Sequence, residues 1–140
     1  MTSKPNKPIM LFDCKTSQNI IGQDKFLKAF ENILNHGAYC QGPETKELDE
    51  KLAAYSGVKY CSTCGSGTDA LTLALMAWGV KEGDAVFVSS FTFVASAEAP
   101  VLLGATPIFV DSDPDTYNMD PKDLQRAIDQ VKKEGKLNLK

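Results

Sequence analysis

The chain has 140 residues, 43% of them hydrophobic and 24% charged, with a net charge of -3 from 18 acids against 15 bases. That is the make-up of one ordinary globular domain, and its mild acidity gives no electrostatic ground for a nucleic-acid or anionic-membrane partner. The start "MTSKPNKPIMLFDCKTSQN" holds no apolar run long enough for a signal peptide, and no stretch of ~20 apolar residues occurs. The expectation is therefore a cytoplasmic protein with Cys14, Cys40, Cys61 and Cys64 as free thiols.

In chain order, residues 1–20 are polar and proline-spotted and are expected to form an extended arm. "DKFLKAFENILNHG" places Phe26, Leu27, Phe30, Ile33 and Leu34 on one helical stripe, with Asp24 as a possible cap and Gly37 as the stop. "PETKELDEKLAAYSG" is a second helix, opened by Pro43 and closed by Gly57, with Leu48, Leu52 and Tyr55 on its expected buried side. Three strand-like runs follow: "VKYCSTC", "GDAVFVSS" and "TPIFVDSD". Between them lie "TDALTLALMAWG", apolar nearly all round and so expected to be covered on more than one side, and "VASAEAPVLLG", a helix that Pro100 should kink or end. "DPKDLQRAIDQVKKEG" is a last helix with Asp120 as cap and Pro121 at its first position, and something new begins at Leu137. Strands alternating with helices, apolar on both faces, predict an α/β fold with a parallel sheet covered on two sides. No linker divides residues 21–140.

The most chemical stretch is "CSTCGSGTDALTLALMAWG", residues 61–79, where a glycine-rich corner opens a helix. A metal would need more than the Cys61-x-x-Cys64 pair: Cys14, Cys40 and the single His36 lie far off, and i and i+3 in a strand face opposite ways. Gly65, Gly67 and Ala70 match the G-x-G-x-x-A of dinucleotide sites, but the next strand ends in Ser89 and Ser90, where an acid should hold a ribose hydroxyl. A single phosphate monoester fits better. A helix N-terminus offers free amides and the positive end of its dipole, Gly67 permits close approach, and Ser66 and Thr68 add hydroxyls. A turn that merely needs glycine explains the corner equally well.

From "GPETKELDEKLAAYSGVKY" through "CGSGTDALTLALMAWGVKEGDAVFVSSFTFVASAEAPVLLGATPIFVDSDPDTYNMDP" the sequence closely resembles the N-terminal part of the DegT/StrS family of sugar aminotransferases. These are fold-type-I enzymes that use pyridoxal 5'-phosphate (PLP). The combination of "SGTDAL", "SFTFVA" and "LGATP" with the "DP" and "TYN" that follow is specific, although no single piece is. The resemblance implies that "GSGT" cradles the coenzyme phosphate, with Gly67, the Thr68 hydroxyl and the Asp69 amide at it, and that Phe93 lies over the pyridine ring. Without it, Phe93 reads as an ordinary core aromatic. Asp111 and Asp113 end a strand, and capping the "PDTYN" turn is their expected work.

The resemblance further implies transfer of an amino group from an amino acid, usually glutamate, to a nucleotide-linked keto sugar for amino-sugar or cell-surface polysaccharide synthesis. It also implies a homodimer with sites at the subunit interface. The Schiff-base lysine and the acid facing the pyridinium nitrogen lie, in that family, downstream of anything matched here. The chain is therefore expected to be the front piece of a longer enzyme, inactive alone and with an incomplete sheet. The "VKYCSTC" strand would be left without neighbours. The rival readings are a Rossmann-type dinucleotide module and a half-length relative that dimerises without chemistry.

Overall fold

The computed structural model describes residues 10–139. They form two compact units that divide after Cys61. The division falls within the segment 58–64; residues 1–9 of the expected arm lie outside the described residues.

The regular elements described in the first unit are all helices. Helix α1, Cys14–Ile21, occupies part of the expected extended arm. Asp13 supplies the missing signal: its carboxylate accepts from the Thr16 amide at 3.0 Å and the Thr16 hydroxyl at 2.6 Å, a complete N-cap. Helix α2, Gln23–His36, begins at Gly22 with no side-chain cap; Asp24 sits in its first turn, where it favours the dipole without capping. Helix α3, Pro43–Ser56, starts at Pro43 as read. Gly37 and Gly57 end α2 and α3 in the left-handed conformation, φ 66° and 68°, which glycine reaches without a Cβ penalty. Between the two helices, His36 Nε2 meets Glu44 Oε1 at 3.0 Å while His36 Nδ1 accepts from the Ala38 amide. Phe26, Leu27, Phe30 and Leu34 of α2 and the Leu48–Leu52–Tyr55 side of α3 are exposed, contrary to expectation for α3, while Ile33 is half-buried; no described sheet in this unit covers them.

The second unit holds the sheet. Strand β1 is Asp84–Ser89 and β2 is Thr106–Val110. They pair in parallel from Ala85↔Thr106 to Ser89↔Val110. Helix α5, Ala95–Leu102, makes the crossover and runs through Pro100 to end two residues later. Strand β3, Asn138–Leu139, begins next to the predicted restart and pairs in parallel with Asp84 and Ala85 alone. The order is β2-β1-β3. Val86–Ser89 therefore have no strand on the β3 side among the described residues. An apolar trough of about 770 Å³ runs there, lined by Leu75, Trp78, Phe87, Met119, Ile128 and Leu139 among others.

Helix α4, Gly67–Ala77, packs on α5, and α6, Pro121–Glu134, packs on β2 and β3. The core they enclose is small and light in side chains: Val80, Ala85, Val88, Ala95, Ala99, Ala105, Val110, Ala127 and Val131. Among the described residues the expected cover over α4 is partial, from α5. Leu71, Leu73 and Met76 are exposed, and Trp78, at its C-terminal end, is 75% exposed.

The "VKYCSTC" run forms no strand. A strand exists only by exchanging hydrogen bonds with a neighbouring strand, and none of the described ladders includes this run.

One polar group lies in the core. Asp84 is 1% exposed. Its carboxylate accepts from the Lys81 amide at 3.1 Å and from Asn138 Nδ2 at 3.3 Å, tying the start of β1 to both the preceding turn and β3. Replacing Asp84 with alanine strands the Lys81 amide, so we expect Asp84→Ala to cost about 2 kcal/mol. Chemical denaturation of the variant against the parent chain reads this directly, and an unchanged midpoint contradicts it.

Candidate functional site

The glycine corner leads straight into α4. Ser66, extended at φ -157°, is the N-cap, and its hydroxyl accepts from the Asp69 amide at 3.1 Å. The Ser66 carbonyl takes the Ala70 amide, also at 3.1 Å. The amides of Gly67 and Thr68 belong to the first turn, where the helix itself offers no acceptor. The Asp69 amide, expected as a phosphate donor, is occupied by the cap in this structure. The Ser66 hydroxyl that holds it keeps its own proton, which is free to point outward. The corner therefore presents two backbone amides and the hydroxyls of Ser66 and Thr68, with the dipole of α4 behind them.

The glycines separate a turn from a cradle. Neither Gly65 nor Gly67 has positive φ, so backbone geometry demands glycine at neither. A Cβ on Gly65 would approach Asp69 Oδ2 at 3.0 Å, which shows where the Asp69 carboxylate is tucked. A Cβ on Gly67 would meet nothing within 4 Å. This chain's own packing therefore gives no reason for glycine at position 67, and the space in front of it is open to a ligand. Gly67, Thr68 and Asp69 lie together in the first turn of α4. Phe93 lies apart from them, on the loop from β1 to α5.

That loop leaves the C-terminal end of β1. The ladder with β2 runs one residue further, through the Ser90 amide to the Val110 carbonyl at 2.8 Å, and the Ser89 and Ser112 hydroxyls meet at 3.0 Å. Thr92 Oγ1 bonds Ser96 Oγ at 3.0 Å where α5 begins. Phe93 is 76% exposed, so it is no core aromatic. Leu71 of α4, Thr92 of this loop and Ser96 in the first turn of α5 share the walls of a second trough of about 470 Å³, which links the helix behind the corner to the loop that carries Phe93.

Asp113 caps the turn after β2, as expected of it, whereas the Asp111 carboxylate accepts from the neighbouring Ser112 amide at 2.8 Å. Asp113 Oδ1 accepts from the amides of Asp115 and Thr116 and from the Thr116 hydroxyl at 2.8–3.0 Å. These bonds, those from Thr116 first, hold its carboxyl below the usual carboxylate range. The Asp111 amide donates to Asp123 Oδ2 at 2.8 Å, and Asp123 Oδ1 takes Arg126 Nε at 2.6 Å. The Arg126 bond, followed by the Asp111 amide, lowers the Asp123 pKa. Among the described residues no group of three or more metal-ligating side chains occurs, and Cys61 and Cys64 are free thiols. The Cys64 thiol donates to the Ser66 carbonyl at 3.2 Å.

The model of the DegT/DnrJ/EryC1/StrS aminotransferase family matches residues 21–134. The chain belongs to that family. It is 48% identical over 120 residues to the UDP-2-acetamido-2-deoxy-3-oxo-D-glucuronate aminotransferase of Pseudomonas aeruginosa, covering 86% of this chain and 33% of that protein. A DegT/DnrJ/EryC1/StrS aminotransferase from Brucella abortus superposes with a TM-score of 0.87 at 42% identity, over 95% of this chain and 35% of the other. The PLP form of Spr1654 from Streptococcus pneumoniae, assigned as a sugar aminotransferase, gives 0.70 at 34% identity, over 76% and 27%. This family member thus spans about a third of the length of the relatives it matches, and its partial parallel sheet is part of the fold-type-I architecture. The family match over residues 21–134 takes the place of the dinucleotide reading.

Two carboxylates with lowered pKa values make the edge of this aminotransferase-family sheet acid-sensitive. A depressed folded-state pKa adds stability above the unfolded value and loses it as pH falls through the folded one. We expect the melting temperature to fall as pH drops through the carboxylate range, and the fall to shrink in Asp113→Asn and Asp123→Asn. An acid titration followed by circular dichroism checks it; an equal fall in both variants contradicts it.

Proposed function

We propose that this chain is the N-terminal, phosphate-gripping part of a PLP-dependent aminotransferase that moves an amino group from an amino acid, glutamate, to the keto carbon of a nucleotide-linked sugar. The product class is an amino sugar for cell-surface polysaccharide. The nucleotide-sugar substrate follows the relative that is 48% identical. The observation that carries the coenzyme reading is Gly67: a glycine that neither torsion nor packing requires, at the mouth of a helix, with open space where a Cβ would stand.

The residues present fit the group. The Gly67 and Thr68 amides, the Ser66 and Thr68 hydroxyls and the α4 dipole would hold a phosphate monoester dianion. The Asp69 carboxylate, drawn back against Gly65, spares that dianion a direct clash of like charges. The flat face of Phe93 would stack on the pyridine ring. When bound, PLP supplies an electron sink for the proton shift at the amino-bearing carbon. This chain's part is to grip and orient. No lysine stands in the wall of either trough beside α4, and we read the chain as inactive by itself, its full-length parent working as a cytoplasmic homodimer.

Spectrophotometric titration of the chain with pyridoxal phosphate tests this. Gly67→Val should weaken binding roughly tenfold or more while the circular dichroism spectrum and melting temperature stay put. Equal affinity in parent and variant removes the corner from the site. Adding glutamate and a nucleotide-linked keto sugar should give no turnover with the 140-residue chain; turnover overturns the reading of it as a part.

A further inference from the structure

The turn between β2 and α6 holds a residue in an unfavourable shape. Tyr117 has φ +60° and, with Gln41, is one of two non-glycine residues at positive φ among those described. For a bulky L-residue this region crowds the Cβ against the backbone, so surrounding bonds must hold it there. They do. The Tyr117 amide donates to the Asp113 carbonyl at 2.8 Å, the Asp113 amide to the Asn118 carbonyl at 2.9 Å, and Ser112 bridges Met119 in antiparallel fashion. Asp113 Oδ1 gathers Asp115 and Thr116 from the other side.

The ring of Tyr117 meets Phe91, centroids 5.8 Å apart and planes at 44°. Phe91 is 68% exposed and Tyr117 65%. No enclosing core presses these rings together, so the backbone on each side brings them to each other. Phe91 lies two residues before Phe93, on a loop tied at its start by the Ser90–Val110 bond and at its end by the Ser96 amide on the Phe93 carbonyl. Between those ties, the Thr92–Ser96 hydroxyl bond holds residue 92 and the Tyr117 ring holds the Phe91 side chain.

We propose that Tyr117 is a positioning residue. Its ring holds Phe91 and so sets the place from which Phe93 presents its face to a bound coenzyme ring. The purpose rests on the PLP reading above; the contact does not. The left-handed turn is the device that aims the phenol ring at Phe91, and an ordinary turn conformation at position 117 would send it elsewhere.

The test compares Tyr117→Phe, Tyr117→Asn and Tyr117→Ala in the 140-residue chain. Asparagine tolerates the left-handed conformation and keeps the turn if alanine disrupts it. By NMR, the parent and Tyr117→Phe should show contacts between rings 91 and 117 and the same amide positions for residues 90–94. Tyr117→Asn should shift those amides and the Phe93 ring signals while the amides of β1 and β2 stay in place. In pyridoxal phosphate titrations, Tyr117→Asn should bind about five- to tenfold more weakly and Tyr117→Phe as the parent does. Unmoved Phe93 signals in Tyr117→Asn overturn the proposal, as does a shift spread evenly through β1 and β2. A parent chain that binds no pyridoxal phosphate overturns the coenzyme reading and with it the purpose given to Phe93, and the NMR comparison alone then judges the contact.

Discussion

The parallel ladder between β1 and β2 is what the rest of the second unit depends on. It fixes five residue pairs in register, Ala85↔Thr106 to Ser89↔Val110, and continues through the Ser90 amide and the Ser89–Ser112 hydroxyl pair. Because parallel strands deliver both of their following loops to the same end of the sheet, the loop with Phe91 and Phe93 and the turn with Tyr117 come out side by side. Asp84, buried at the opposite end with two donors on its carboxylate, fixes where the ladder starts. The glycine corner stands on the next helix over, since α4 packs on α5.

The chemistry of the corner is that of a helix end. The cap uses Ser66 and the Asp69 amide, and what remains for a ligand is the set of groups a helix cannot satisfy by itself. The division between structural and available donors was not legible in "GSGT". Serine, threonine and three successive amides all read as donors there, and only the cap geometry shows which one is taken. The torsions and empty space at Gly67 were equally hidden. A glycine in sequence does not say whether it serves a turn, a close neighbour or a guest. Here the first two are absent at Gly67.

Apolar surface is the other feature of this chain. The α2 stripe, the leucines of α4 and the trough beside β1 are all open to water within their own units, although their patterns read as interior. Periodicity identifies a face that needs cover and says nothing of what covers it. A chain that spans a third of its relative's length shows such faces bare. The same cause explains why Phe109, in a strand that reads as buried on both faces, is exposed.

What the sequence determined by itself was mostly helical. The positions of Gly37, Gly57, Pro43, Asp120 and Pro121 marked the ends of three helices close to where they lie, because a helix closes its hydrogen bonds within four residues of itself. Asp13 carries the same kind of signal for α1, five residues after Pro8 in a polar stretch. Strands were legible only where a strand partner was described: "DAVFVS" and "TPIFV" found each other, and "VKYCSTC", as good a strand in composition, forms no strand. The pairing of β1 with β2 and β3, the open space at Gly67 and the meeting of Phe91 with Tyr117 were decided by tertiary structure alone, since each depends on groups many residues apart that no local pattern can bring into contact.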